Sequence, residues 1–244
     1  MKISTLKSTT APMIYVYGQQ GRGKTTFASK FPNPLFIPLE RGIPSGIEVA
    51  AVEGIDSFEA YMDAMREIYG DANGYRTLVI DGTEVLEARL IEYLCAKHGW
   101  KSIEAPAYGK GWVMADDEWH RVIRSATAIR DKHNMPIVFI GHADIVRVDD
   151  PRAPSYTSYQ PRLHRRARAL LTDAMDAVFF LADDIRVLKE DVGFNERTRA
   201  SAAEGRFLFT EGRPAFAAKN RFGIPAKMPI PIDFNFAELA QYWA

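Results

Sequence analysis

Cysteine is almost absent from this 244-residue sequence. Cys95 is its single copy, so no disulfide can close within the chain. It lies in an apolar helical pattern, where a small buried hydrophobe is the expected role and a reducing cytoplasm the expected compartment. No apolar run approaches the ~20 residues that span a bilayer, and Met1 to Pro12 lacks the apolar core of a signal peptide. A membrane partner is therefore not expected. An excess of either charge is missing too: 31 basic residues balance 31 acidic ones, so attraction to nucleic acid has to come from local clusters. Repeats, low-complexity tracts and a domain linker are also lacking. The chain is long enough to bury a core, and the expected organisation is a mobile arm over residues 1–12 followed by one α/β domain over 13–244.

What is present starts near the amino end. Gly18-Gln19-Gln20-Gly21-Arg22-Gly23-Lys24-Thr25 fits G-x-x-x-x-G-K-[ST], the phosphate-binding P-loop. Met13 to Tyr17 before it is a short run of β-formers, and Thr25 to Lys30 after it can begin a helix, the context the motif needs. The glycines let backbone N–H groups turn inward around phosphate oxygens, Lys24 adds a full positive charge, and Thr25 offers Mg²⁺ a hydroxyl. Residues Gly18 to Thr26 are thus the expected nucleotide contacts, with ATP and Mg²⁺ as ligands.

Further along, Leu35 to Leu39 reads as a strand that leaves Glu40 at its C-terminal edge, and Gly46 to Val52 as a third, peripheral strand. Asp56-Ser57 is a capping signal for a helix to about Tyr69. Phe58, Tyr61, Met62, Met65, Ile68 and Tyr69 recur at helical spacing and read as core. Thr77 to Asp81 is an apolar strand ending in a carboxylate about sixty residues after the P-loop, a Walker B pattern in which Asp81 supports the metal's water shell. Glu84 to Lys97 reads as helix. Residues 98–113 do not: Trp100, Lys101, Tyr108, Lys110 and Trp112 alternate among glycines, either as a stacking platform for unpaired bases or as a surface loop folded onto the core. Asp116 to Lys132 carries one apolar stripe and reads as helix.

Pro136 to Gly141 is the next buried strand, expected beside the P-loop strand, with His142 at its end as a γ-phosphate sensor or a structural histidine. Residues 147–168 form a long, basic, proline-containing stretch, either a phosphate-backbone contact surface or a solvated helix start. Ala177 to Leu181 and Ile185 to Leu188 read as a hairpin around Asp183-Asp184, and 194–205 as a loose connection. Arg206 to Thr210 and Ala215 to Ala218 read as a second hairpin, and Phe234 to Trp243 as a closing helix.

Together these residues resemble the RecA-type recombinase ATPases, and most closely the small phage-encoded RecA-like ATPases linked to single-strand annealing and recombination. The resemblance runs from Met13 to about Gly223. It implies an α/β fold with a RecA-like P-loop NTPase core, a mainly parallel sheet flanked by helices with a C-terminal antiparallel extension. In that family the water-orienting glutamate ends the strand after the P-loop helix, where Glu40 falls; Asp81 is followed by Gly82, and Glu84 is the fallback. The stretches 99–112 and 147–168 occupy the places where RecA-like proteins hold single-stranded DNA. The family often has Gln where this chain has His142. Lys219-x-Arg221-x-Gly223 is similar to the Lys-x-Arg finger inserted into a neighbouring subunit's nucleotide site, although the residues alone read equally as a basic surface turn. A finger implies a homo-oligomer, ring or filament, with single-stranded DNA and a single-strand-binding protein as partners in a bacterial cytoplasm. Two other classes fit a P-loop: a small-molecule kinase, and a nucleotide-gated assembly module with little hydrolysis.

Overall fold

The computed structural model describes residues 11–40, 42–192 and 195–243. The expected arm at 1–12 therefore lies almost wholly outside the described residues. In chain order the elements are β1 (Met13–Gly18), α1 (Lys24–Ala28), β2 (Pro34–Pro38), β3 (Ala50–Ala51), α2 (Phe58–Gly70), β4 (Thr77–Asp81), α3 (Thr83–His98) and α4 (Lys110–His133). They continue with β5 (Ile137–Val148), β6 (Tyr156–Pro161), α5 (Arg165–Ala174), β7 (Ala177–Val192), β8 (Asn195–Phe209), β9 (Lys219–Asn220), β10 (Lys227–Pro229) and α6 (Ala237–Ala240).

The sheet has the strand order β10-β8-β7-β1-β5-β4-β2-β3, with β6 paired to β5 and β9 to β7. From β7 to β3 every pairing is parallel, while β8, β10, β6 and β9 pair antiparallel. This is the mainly parallel α/β core with antiparallel additions that the sequence implies.

The central strands are buried on both faces, which explains why they read as unbroken apolar runs rather than alternating ones. Along β1, Tyr15 and Tyr17 point into one core with Phe58 of α2, Leu90 of α3, Trp119 of α4 and Leu171 of α5. Ile14 and Val16 point into the other, with Phe27 of α1, Phe31, Phe234 and Leu239 of α6. Helix α2 begins where Ser57 caps it, its side chain accepting from the Ala60 N–H at 3.1 Å. Its core stripe holds except at Tyr69, which is 45% exposed.

Six elements depart from the sequence reading. Helix α4 starts at Lys110, inside the stretch read as irregular, rather than at Asp116, and the closing helix shrinks to Ala237–Ala240. The third strand shrinks to the two residues of β3. Strand β5 does not stop at Gly141: it runs through His142 to Val148 and pairs antiparallel with β6, so much of 147–168 is a β-ribbon and the start of α5 rather than a loop. Ala177 to Leu188 is one strand, not a hairpin, because Asp183 and Ile185 flank a register shift in the β7–β8 ladder instead of a turn. The stretch 195–209 is the partner strand, and Phe207 to Phe209 pairs with Lys227 to Pro229 of β10 rather than with Ala215 to Ala218. No described helix is long and apolar enough to cross a membrane.

Candidate functional site

Parallel register lines up the chemistry on one edge of the sheet. Gly18 at the end of β1 lies opposite His142 of β5, and Asp81 at the end of β4 opposite both Ile140 and Pro38. Glu40 follows two residues after Pro38, the amide of Leu39 still donating to the Asp81 carbonyl at 2.9 Å. Strand order alone thus gathers the P-loop, Asp81, Glu40 and His142 at the C-terminal edge, where open α/β sheets bind ligands.

Within the P-loop, Lys24 is 7% exposed and its Nζ donates to the carbonyls of Gly18 at 3.1 Å and Gln19 at 3.0 Å. Among the described residues no carboxylate pairs with it. Burial holds its pKa below the ordinary lysine value, against Glu84, Asp81 and Glu40, which pull it back up. A buried ammonium without a counter-ion is a site for an anion. The Thr25 hydroxyl donates to Asp81 Oδ2 at 2.8 Å, so the two oxygens offered to a divalent cation are already side by side. Burial raises the Asp81 carboxyl and the Thr25 hydrogen bond lowers it. This donor set, hydroxyl and carboxylate oxygens beside a phosphate loop, fits Mg²⁺. Gln19 donates from Nε2 to the Tyr159 hydroxyl at 3.3 Å, and Arg22 forms an ion pair with Asp183. Thr26 follows on α1 with its carbonyl accepting from Ser29 Oγ at 2.8 Å.

Glu40 does not stand alone. His142 Nδ1 lies 3.1 Å from Glu40 and pairs closely with Glu84, whose carboxylate also accepts from the His142 amide at 3.2 Å. One ligand atom from each of the three lies within 4.8 Å of the others. Such a group has the make-up of a metal site, but its short contacts are those of a cluster held together by shared hydrogens. Burial, Glu84 and Asp81 raise the Glu40 carboxyl, with His142 opposing. At Glu84 burial also acts upward, yet hydrogen bonds from His142 and Glu40 bring the carboxyl below its ordinary value. The two carboxyls are thus pushed apart, Glu40 upward and Glu84 downward, and titrate as a coupled pair. Gly82 makes this approach possible: at φ 109° a side chain there would be strained, and its Cβ would meet Glu40 Cγ at 2.9 Å. The absence of a side chain after Asp81 leaves the space that Glu40 fills from the neighbouring strand.

The finger residues lie elsewhere. Lys219 pairs with Val178, which faces Tyr15, so it stands three residues, roughly 10 Å along the strand, short of Gly18. Lys219 Nζ donates to the carbonyls of Thr172 and Asp173 at 3.1 and 3.0 Å, closing the end of α5, and Arg221 pairs with Asp176 at 3.4 Å. Neither reaches its own P-loop.

The stretches 99–112 and 147–168 meet. Trp112 stacks on His164 with ring centroids 3.7 Å apart, and Arg166 pairs with Asp116 at 2.5 Å. Trp112 thus folds back, whereas Tyr108 is 97% exposed on a left-handed backbone. The ribbon also touches the nucleotide edge, through Gln19 to Tyr159 and through the Arg162 amide, which donates to the His142 carbonyl at 2.8 Å.

A P-loop between a central parallel strand and a short helix, with a buried lysine and a threonine–aspartate pair, defines a P-loop nucleotide-binding domain. The chain belongs to the AAA domain family AAA_24, which matches residues 10–222. It is also similar to the SPbeta prophage-derived uncharacterized protein YorG of Bacillus subtilis (strain 168), 24% identical over 221 residues. That match covers 85% of this chain and 64% of the relative, so the chain spans a little under two thirds of the relative's length.

Sequence reasoning held Glu84 only in reserve and passed over Asp183 and Arg206. Glu84 announces itself by its place in the first turn of α3 after the Walker B strand, but its hold on His142 is tertiary. Glu87, one turn on, accepts from the His164 amide at 2.9 Å, and burial pushes its carboxyl up to about 7, against the lowering effect of that amide. Its folded pKa lies above the ordinary value of 4.5, so the stability it contributes is full below about 4.5 and is lost as pH rises through about 7. Glu87→Gln removes the loss. Its urea unfolding free energy at pH 8 is expected to exceed wild type by up to ~3 kcal/mol, shrinking toward zero near pH 5. An equal difference at both pH values would contradict this.

Proposed function

We propose that this chain is a Mg²⁺-dependent ATPase of the RecA-like kind, acting on single-stranded DNA in phage-type recombination or annealing, with ATP held between subunits. One observation carries the reading: β5 passes His142 beside the P-loop and runs straight on into the β5–β6 ribbon, which leads into the arginines of α5, so nucleotide site and ribbon share a strand. The prophage relative supports the biological setting.

In this mechanism the P-loop amides and Lys24 hold the triphosphate, while Thr25 and Asp81 hold Mg²⁺, which when bound offsets charge on the phosphates. Glu40 orients the attacking water and, as a carboxylate, accepts its proton. Glu84 fixes the imidazole of His142, and His142 in turn fixes Glu40. His142 sits where a γ-phosphate would be felt, and its carbonyl is hydrogen-bonded to Arg162, the first residue beyond β6. Arg165, Arg166 and Arg168 of α5, with Tyr108, supply the phosphate and base contacts for a single strand. Arg221, more exposed than Lys219, acts from the neighbouring subunit.

A second reading has one observation in its favour: Lys219 and Arg221 are both engaged within their own subunit. An assembly module that binds ATP and hydrolyses it slowly needs no finger. ATP turnover measured with and without single-stranded DNA across protein concentration separates the two. The ATPase reading expects turnover per subunit to rise with DNA and steeply with concentration. ATP-dependent oligomers that release no phosphate would sink it in favour of the module.

A further inference from the structure

We propose that Arg206 is a phosphate-binding residue of the nucleotide site, supplied by the same chain. The inference deepens the reading above and rests on its nucleotide-binding part alone. Arg206 lies in β8, one strand beyond β7, and its guanidinium is laid against the P-loop: a Cβ built on Gly23 would meet Arg206 Nη1 at 1.8 Å and Cζ at 3.1 Å. Gly23, at φ 79°, has to be bare both for its own turn and for this approach.

The charges around it decide what the guanidinium is for. Asp183 is the residue directly across the β7–β8 ladder from Arg206, the natural cross-strand partner for an arginine. Yet Asp183 is turned to Arg22 of the P-loop and pairs with it instead. Among the described residues no carboxylate lies within ion-pair distance of Arg206, nor of Lys24. The guanidinium thus lies against the glycine-rich loop with no carboxylate partner among the described residues, a cation placed to gain its counter-charge from a bound anion. A guanidinium is matched to phosphate oxygens, which it can grip with two parallel N–H groups. Its backbone is fixed: β8 is flanked by β7 and β10, and the Ile230 amide donates to the Arg206 carbonyl at 2.8 Å. The ligand class is a nucleoside triphosphate or diphosphate. A monophosphate, lacking the oxygens beyond the first, gains little from it.

The test is a fluorescence titration of the full chain with Mg·ATP, Mg·ADP and AMP, for wild type, Arg206→Ala, Arg206→Lys and Lys24→Met. Arg206→Ala is expected to weaken Mg·ATP binding about 10- to 100-fold, with AMP nearly unchanged. Arg206→Lys, which keeps the stem and the charge, recovers part of the loss. A merely structural role would lower all three nucleotides together and would overturn the inference. So would unchanged Mg·ATP affinity in Arg206→Ala while Lys24→Met is impaired, which leaves the P-loop reading standing. If wild type binds no nucleotide, or Lys24→Met binds as wild type does, the reading and the inference fall together.

Discussion

Lys24→Met is expected to bind Mg·ATP and turn it over about 10²- to 10³-fold less well than wild type, while unfolding at no lower a temperature. The two halves of this result have one cause. Lys24 is buried among backbone carbonyls without a carboxylate partner, and burial disfavours its charged form in the empty site. Its folded pKa lies below the ordinary value, so at neutral pH the ammonium is a cost to the fold rather than a gain. Methionine keeps the length and apolar stem, removes that cost, and removes the counter-charge for the phosphates. A site selected for ligand is often less stable than the fold allows. Parallel losses of binding and thermal stability in Lys24→Met would mean that the side chain is structural instead.

Glu40→Gln is expected to lower turnover by about 10²- to 10³-fold with Mg·ATP affinity within threefold of wild type. The amide keeps the hydrogen bonds of the cluster but cannot accept a proton from water. In wild type, burial and the nearby Glu84 charge raise Glu40, so the acid limb of the rate profile should lie above the ordinary carboxylate range. Glu84→Gln deletes that neighbouring negative charge. It should shift the acid limb to lower pH while also lowering the rate, because His142 loses its anchor. A limb that stays where it was in Glu84→Gln would uncouple the two carboxylates and return Glu40 to acting alone. Undiminished turnover in Glu40→Gln would remove it from the reaction.

The parts of this fold that were legible in the sequence are those where local pattern and burial agree. The P-loop, the strand ending in Asp81 and the strand leading to His142 each combine a short β-rich apolar run with a polar terminus, and each lies in the sheet core with 0–1% exposure at its apolar positions. The β5–β6 ribbon was hidden because it is exposed: Asp144, Ile145 and Arg147 face solvent, so after Ala143 nothing marks a buried strand. Pro151 and Pro154 then suggest a loop throughout, although only the residues between β5 and β6 form one. The continuation of β7 was hidden by Asp183-Asp184, a strong turn signal from sequence. In the fold these aspartates stay in the strand because Arg22 and Lys227 pair with them. Arg206 carries no motif at all. Its meaning comes from β8 lying beside β7, which no local pattern encodes.

Glu40 shows both sides of this. Its place after β2 is readable from the strand pattern, but its contact with His142 and its fit over Gly82 depend on which strands are neighbours. Strand order, fixed by packing α2 to α5 on one face and α1 with the C-terminal segment on the other, turns a set of separated residues into a site.

The most direct test is a crystal structure of the full chain with a non-hydrolysable ATP analogue and Mg²⁺. The phosphates should lie within hydrogen-bond reach of Lys24 and Arg206, with the metal against Thr25 and Asp81 and a water beside Glu40. Nucleotide bound away from residues 18–26, or a P-loop left empty at saturating analogue, would contradict the account at its root.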